Sequence, residues 1–139
     1  MYTHGAQRML RLVTASAPPC AVSGGNFDTV TNYLYLRVYN PAAVPVRAEL
    51  RVGRAPGEDQ VDVVVAAYAS LPEETPAARS ACLTGAEANC FDDFDYLACL
   101  IEAKAPTVPA GGSIWVYVGN YRTDDPAAPF LFRATTRAL

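Results

Sequence analysis

The chain has 139 residues, of which 51% are hydrophobic and only 18% charged, a composition that indicates one folded domain, residues 1–139, rather than a disordered polymer. Its net charge of −3 provides no basic field to attract nucleic acid or an anionic membrane. No apolar run approaches the ~18 residues of a membrane helix, so we expect no membrane insertion. No signal peptide is visible at the N-terminus, and whether one was removed before Met1 stays open.

Extended segments separated by turn residues follow one another along the first half of the chain. Residues 8–14 are the first candidate strand. Residues 33–39 and 46–52 show the clearest alternation of apolar and polar side chains, and the turn "NPAAVP" lies between them. We therefore predict that these two segments pair as a hairpin with one apolar face. Residues 61–69 are more continuously apolar, which is typical of a strand in the middle of a sheet.

The second half begins with the longest irregular segment and then returns to strands. Residues 71–95 contain two prolines and two cysteines and allow a short helical turn near residues 73–80. Three further strands are predicted at 96–103, 113–121 and 129–137. Because no long segment has a helical period, the sequence predicts an all-β fold, an antiparallel β-sandwich or jelly roll of about 7–8 strands.

The four cysteines are an even set without a CxxC motif, and the chain has one histidine. This pattern disfavours a zinc site and favours disulfides, with four buried free thiols as the alternative. Four cysteines allow three pairings, and the sequence leaves the choice open; in one of them Cys82–Cys90 would close the loop "CLTGAEANC" and Cys20 would reach Cys99. Disulfides imply an oxidising environment, so we expect an extracellular or virion-surface location.

A resemblance to a known family covers roughly residues 60–137. The strand "VDVVVAAY", the cysteine-containing segment "CFDDFDYLAC", the strand "AGGSIWVYV" and the closing "PFLFR" follow one another in this order. In this the chain resembles the bacterial pre-peptidase C-terminal domain. The resemblance implies a non-catalytic jelly-roll sandwich appended to secreted proteins, which binds surfaces or polysaccharide. The chain departs from the family in carrying no catalytic domain ahead of this segment.

Motifs of catalysis are missing from the sequence. It contains no G-x-S-x-G, no P-loop and no G-x-G-x-x-G, and His4 is its only histidine. A pair of carboxylates drawn from the loop aspartates and Glu102 could in principle hydrolyse glycosides, but acidic loop residues are typically solvated turn formers. We therefore predict no enzyme activity, no catalytic residues and no cofactor.

One acidic cluster is a candidate calcium site. Asp92, Asp93 and Asp95 place three carboxylates within four residues, and a second acidic turn, around residues 58–62, could add oxygen ligands. No EF-hand pattern supports the site. The alternative is a hydrated loop whose charges keep a sheet edge soluble.

The polar face of the predicted hairpin combines tyrosines with charged residues. A hairpin of this length would place Arg37 opposite Glu49, Tyr39 opposite Arg47 and Tyr35 opposite Arg51. Such pairs could satisfy one another on a solvated sheet surface. Alternatively they form an interface, because tyrosine and arginine are enriched in protein–protein hot spots. The predicted interface residues are Tyr33, Tyr35, Arg37, Tyr39, Arg47 and Arg51.

These observations predict a non-catalytic structural or accessory subunit on the outside of a larger assembly, such as a virion decoration protein or a cell-surface complex. Its partners would be other protein subunits, without nucleic acid. The alternative is a secreted module of the pre-peptidase type that grips carbohydrate. In that case Trp115, Tyr117 and the tyrosines would stack on sugar rings.

Overall fold

The computed structural model describes residues 2–3, 8–10, 30–57, 62–73, 75–86, 90, 96–121 and 127–139. The predicted fold class is confirmed, because these residues are almost entirely extended, with one short α-helix, α1, at Pro76–Ser80 and one 3-10 turn at Glu102–Lys104. The strands are β1 (Tyr2–Thr3), β2 (Arg8–Leu10), β3 (Val30–Tyr39), β4 (Val46–Arg54), β5 (Val63–Tyr68), β6 (Thr84–Ala86), β7 (Tyr96–Leu100), β8 (Thr107–Val108), β9 (Ser113–Asn120) and β10 (Pro129–Ala138).

The strands form two antiparallel sheets that enclose a common core. The first sheet has the order β1-β10-β4-β7, with β8 also paired to β4, and the second has the order β2-β3-β9-β5-β6. Leu50 and Val52 from the first sheet belong to the same buried cluster as Val116 and Val118 from the second. A period of two along each strand therefore accounts for the sandwich, since every second side chain points into this core.

The apolar strand predicted at 61–69 is confirmed as an interior strand. It corresponds to β5, which lies between β9 and β6, and all of its residues are buried. One side of β5 faces the core between the sheets. The other side, which includes Val64 and Tyr68, belongs to a second apolar cluster on the outer surface of its sheet. Burial on both sides explains why its sequence does not alternate.

The predicted hairpin of residues 33–39 and 46–52 is wrong, although both strands exist. β3 pairs with β9, and β4 pairs with β10 and β7, so the two segments lie in different sheets. Instead of turning back, the chain crosses between the sheets through residues 40–45. Alternation identifies the core side of a strand but not its neighbour, because any antiparallel neighbour satisfies the same pattern.

The cross-strand pairs predicted from that hairpin are therefore also wrong. The residue facing Glu49 is Thr135, and Arg47 faces Arg137. Arg51 lies between Arg133 on β10 and Cys99 on β7.

The prediction of disulfides is confirmed for the described cysteines, but the pairing differs from the one considered from the sequence. Cys90 bonds to Cys99 with their Cα atoms 5.3 Å apart, which rules out both the Cys82–Cys90 and the Cys20–Cys99 pairings. Cys82 is also disulfide-bonded, so none of the three described cysteines is a free thiol. Cys20 lies outside the described residues. The pairing considered from the sequence does not form, because β6 carries the chain along the second sheet after Cys82, while Cys99 lies on β7 of the first sheet.

The helical turn predicted near residues 73–80 is confirmed as α1. Its N-cap is Thr75, whose Oγ1 accepts a hydrogen bond from the Ala78 backbone N–H at 3.2 Å. Within the described ranges, no helix is long and apolar enough to cross a membrane.

Candidate functional site

The outer surface of β3 and β9 carries most of the aromatic residues singled out in the sequence. Tyr35 lies directly opposite Tyr117, Arg37 opposite Trp115 and Tyr39 opposite Ser113. These side chains point away from the core because they alternate with residues that pack into it. We call this surface the aromatic face; it comprises Tyr33, Tyr35, Arg37, Tyr39, Trp115 and Tyr117.

The part of the aromatic face near β5 is a second core rather than a free surface. Tyr117 is only 1% exposed. Its ring stacks on Tyr33 at 6.0 Å and meets Tyr35 edge-on at 5.5 Å, and Tyr35 meets Tyr68 edge-on at 6.3 Å. Cys82 completes the buried cluster. Tyr33 and Tyr35 are consequently half-buried, and their ring surface is largely committed within the chain.

Helix α1 contributes a buried arginine next to these tyrosines. The Tyr68 hydroxyl donates to the Arg79 carbonyl at 2.7 Å. The Arg79 side chain is buried, and its Nε and Nη2 atoms have no hydrogen-bond partner. Burial raises the pKa of Tyr68 far above its ordinary value, the neighbouring Tyr35 and Tyr117 add to the rise, and Arg79 opposes it.

The opposite end of the aromatic face is open to solvent. Tyr39 is 56% exposed, and Arg37 is exposed beside it. The Arg37 Nε atom donates to Ser113 Oγ at 2.8 Å, and its guanidinium carbon lies 6.0 Å from the centre of the Tyr39 ring. Both contacts restrain the orientation of the exposed Arg37 side chain on the sheet surface.

The loop that follows Tyr39 is fixed by one buried side chain. The Asn40 side-chain amide donates to the carbonyls of Val44, Val108 and Pro109 at 2.9, 3.3 and 3.1 Å, and its Oδ1 accepts from the Ala42 N–H at 3.0 Å. Val44 is 60% exposed on this loop. Asn40 therefore fixes the backbone at Val44, whose side chain is exposed to solvent at the same end of the sandwich as Tyr39. We call Arg37, Tyr39 and Val44 the contact end.

Arg47 and Arg51, the other two predicted interface residues, lie on the far side of the molecule. They alternate with the buried Ala48 and Leu50 on β4 and so point outward from the first sheet. A single flat partner cannot touch them together with the tyrosines of β3. The prediction of one continuous interface followed from the hairpin and is wrong for the same reason.

The outer surface of the first sheet is rich in arginine. Arg133 lies directly opposite Arg51, and Arg137 directly opposite Arg47. Glu49 lies between the two pairs, and its two carboxylate oxygens reach Arg51 at 3.2 Å and Arg137 at 3.3 Å. We call this surface the arginine face. Arg133 and Arg137 were not predicted as site residues, because their pairing with β4 joins segments far apart in the chain.

The remaining predicted site residues are divided between surface and interior. Trp115 is half-buried, whereas the burial of Tyr117 prevents its ring from stacking on a sugar, contrary to the carbohydrate-binding prediction. Asp92, Asp93 and Asp95 lie outside the described residues. Among the residues that are described, no group of three or more His, Cys, Asp or Glu side chains is arranged to hold a metal ion.

Comparison of the chain with family models, with curated proteins and with solved structures finds no match.

Proposed function

We propose that the chain is a non-catalytic structural or accessory subunit that binds to the outside of a larger protein assembly through its contact end. A virion surface or a cell-surface complex is the setting we propose. The Cys90–Cys99 disulfide supports a place of action outside the reducing cytosol.

The observation that carries this proposal is that Tyr39 is exposed beside Arg37, whose side chain contacts the Tyr39 ring. Tyr39, the last residue of β3, is 56% exposed, although Tyr33 and Tyr35 earlier on the same strand are half-buried. Tyrosine and arginine are the residue types that contribute most to protein–protein binding. Arg37 is already oriented by Ser113 and by the Tyr39 ring.

The loop of residues 40–45 supports the same surface. Val44, which is exposed and directly precedes Pro45, gains from burial against a partner, at roughly 25 cal/mol per Å² of apolar area. Because Asn40 fixes the loop, little conformational entropy is lost when Val44 is covered. The contact end thus combines an apolar side chain, an aromatic ring and a cation on rigid supports.

The proposal is tested by photo-crosslinking in the native source. A photoreactive phenylalanine analogue is placed at Tyr39 in one variant and at Asp62 in a control variant. Asp62 is exposed at the other end of the second sheet, beside the Val63–Asn120 pair. We expect one discrete protein adduct from position 39 and none from position 62. Equal adducts from both positions, or none from position 39, would contradict the proposal.

A further inference from the structure

The arginine face carries more positive charge than its own carboxylate can neutralise. It contains four arginines and one glutamate, an excess of three positive charges, on a chain whose net charge is −3. In each of two cross-strand pairs, Arg51 with Arg133 and Arg47 with Arg137, like charges lie directly opposite each other, an arrangement that destabilises a sheet. Glu49 is already engaged by Arg51 and Arg137, and no described carboxylate lies within ion-pairing distance of Arg47 or Arg133.

A groove beside these arginines offers room for a ligand. Its volume is about 340 Å³. The lining combines charged, polar and apolar groups: Glu49, Arg51, Arg133, Thr135, Ile101 and the Cys90–Cys99 disulfide. A carboxylate lying between Arg51 and Arg133 would be held by two guanidinium groups, and its aliphatic stem would rest on Ile101 and the disulfide.

We propose that the arginine face binds an extended acidic segment of a partner protein, with one carboxylate at each arginine pair. This site is independent of the proposed contact end, because the two lie on opposite outer surfaces of the sandwich. The pairs are four residues apart along β4, which at ~3.3 Å per residue is ~13 Å. Two acidic residues separated by three others in an extended peptide span the same distance.

The position of Glu49 determines which residues of the bound peptide can be negatively charged. It lies midway between the two arginine pairs, so it repels a third negative charge at the centre of the bound segment. A polymer that is charged at every unit, such as a sulfated polysaccharide, would bring a charge to that position. The geometry therefore favours a peptide with acidic residues at its first and fifth positions and a neutral residue at the third.

The test uses fluorescence anisotropy with the full chain and two synthetic peptides. Peptide one carries glutamate at positions one and five with serine and threonine between, and peptide two adds a third glutamate at position three. We expect peptide one to bind more tightly than peptide two, and binding to weaken as salt is raised. Arg133→Ala should weaken the binding of peptide one by at least tenfold. Arg133→Lys, which keeps the charge but loses the planar fork, should recover only part of it.

Two further variants make the test specific. Glu49→Gln should raise the affinity for peptide two until it equals or exceeds that for peptide one. Arg37→Ala, on the other side of the molecule, should leave both unchanged. The proposal is overturned if peptide one does not bind, if Arg133→Ala has no effect, or if a sulfated oligosaccharide binds more tightly than peptide one. Crosslinking at Tyr39 is unaffected by Arg133→Ala if the two surfaces act separately, so either proposal can fail alone.

Discussion

Gly119 is the position where a single added methyl group tests the packing of the aromatic face. It lies on β9 opposite Tyr33, and the Tyr117 ring covers it. A Cβ atom on Gly119 would lie 2.5 Å from Cζ and 2.7 Å from Cε1 of Tyr117. Because Tyr117 is buried against Tyr33 and Tyr35, its ring cannot swing away without disrupting the cluster.

The expected cost of Gly119→Ala follows from two opposing effects. Overpacking a well-filled core costs about 1–3 kcal/mol. Replacing glycine by alanine in a strand stabilises the folded state by about 0.5–1 kcal/mol, because the unfolded chain has less conformational freedom with alanine. We therefore expect the free energy of unfolding to fall, by at most about 2.5 kcal/mol. Urea unfolding followed by the fluorescence of Trp115, the single tryptophan, measures it directly.

A double-mutant cycle decides whether the Tyr117 ring is the cause. In a Tyr117→Leu background the ring is gone, so Gly119→Ala should be neutral or stabilising by about 0.5 kcal/mol. Circular dichroism of each variant checks that the sheets remain. If Gly119→Ala costs the same in both backgrounds, the described packing of the aromatic face is wrong.

Three further predictions concern buried polar groups. Arg79→Met should leave the urea midpoint unchanged or raise it, because two nitrogens of the buried guanidinium have no hydrogen-bond partner. A fall in the free energy of unfolding of more than about 1 kcal/mol would contradict this. Asn40→Ala should cost about 2–4 kcal/mol by removing several buried hydrogen bonds, and should speed hydrogen exchange in residues 41–45, whereas unchanged exchange would show that Asn40 does not hold the loop. The folded-state pKa of Tyr68 is raised above its ordinary value of 10.0, so its contribution to stability is complete below pH 10 and is lost as the pH rises above that value toward the folded-state pKa. Between pH 9 and 11 the free energy of unfolding should therefore fall less in Tyr68→Phe than in the wild type. An equal fall in both proteins would contradict this prediction.

Residue periodicity was sufficient to predict the fold class. The alternation of Leu34, Leu36 and Val38 with polar residues marks the core side of β3, and the unbroken apolar run of β5 marks a strand buried on both sides. These features are local, because the burial of a strand's side chains follows directly from the order of apolar and polar residues along it. The helical turn at α1 was also predictable, since Thr75 and Pro76 form a common start of a helix.

Long-range pairing could not be read from the same pattern. Nothing in residues 33–52 distinguishes a hairpin from two strands that cross between sheets. The consequences extend to the site: Arg47 and Arg51 were placed with the tyrosines, and their actual neighbours Arg133 and Arg137 went unnoticed. The cysteine pairing could not be read either, because Cys82–Cys90 and Cys90–Cys99 would close loops of nearly the same length.

The burial of the tyrosines was likewise invisible in the sequence. Tyr33, Tyr35 and Tyr39 occupy equivalent positions along one strand, yet only Tyr39 stays largely exposed. The difference comes from the neighbouring strands: β9 supplies Tyr117 and β5 supplies Tyr68 next to the first two, while Tyr39 faces the small side chain of Ser113.

The central claim, attachment to an assembly through the contact end, is tested most directly by measuring how much of the chain co-sediments with the assembly from its native source. The wild type is compared with the double variant Arg37→Ala and Tyr39→Ala, and with Asp62→Ala, at the other end of the second sheet, as the control. We predict that the double variant co-sediments at least tenfold less than the wild type, equivalent to about 1.4 kcal/mol of binding, while its unfolding midpoint stays the same. Equal co-sedimentation of the double variant and the wild type would contradict the account.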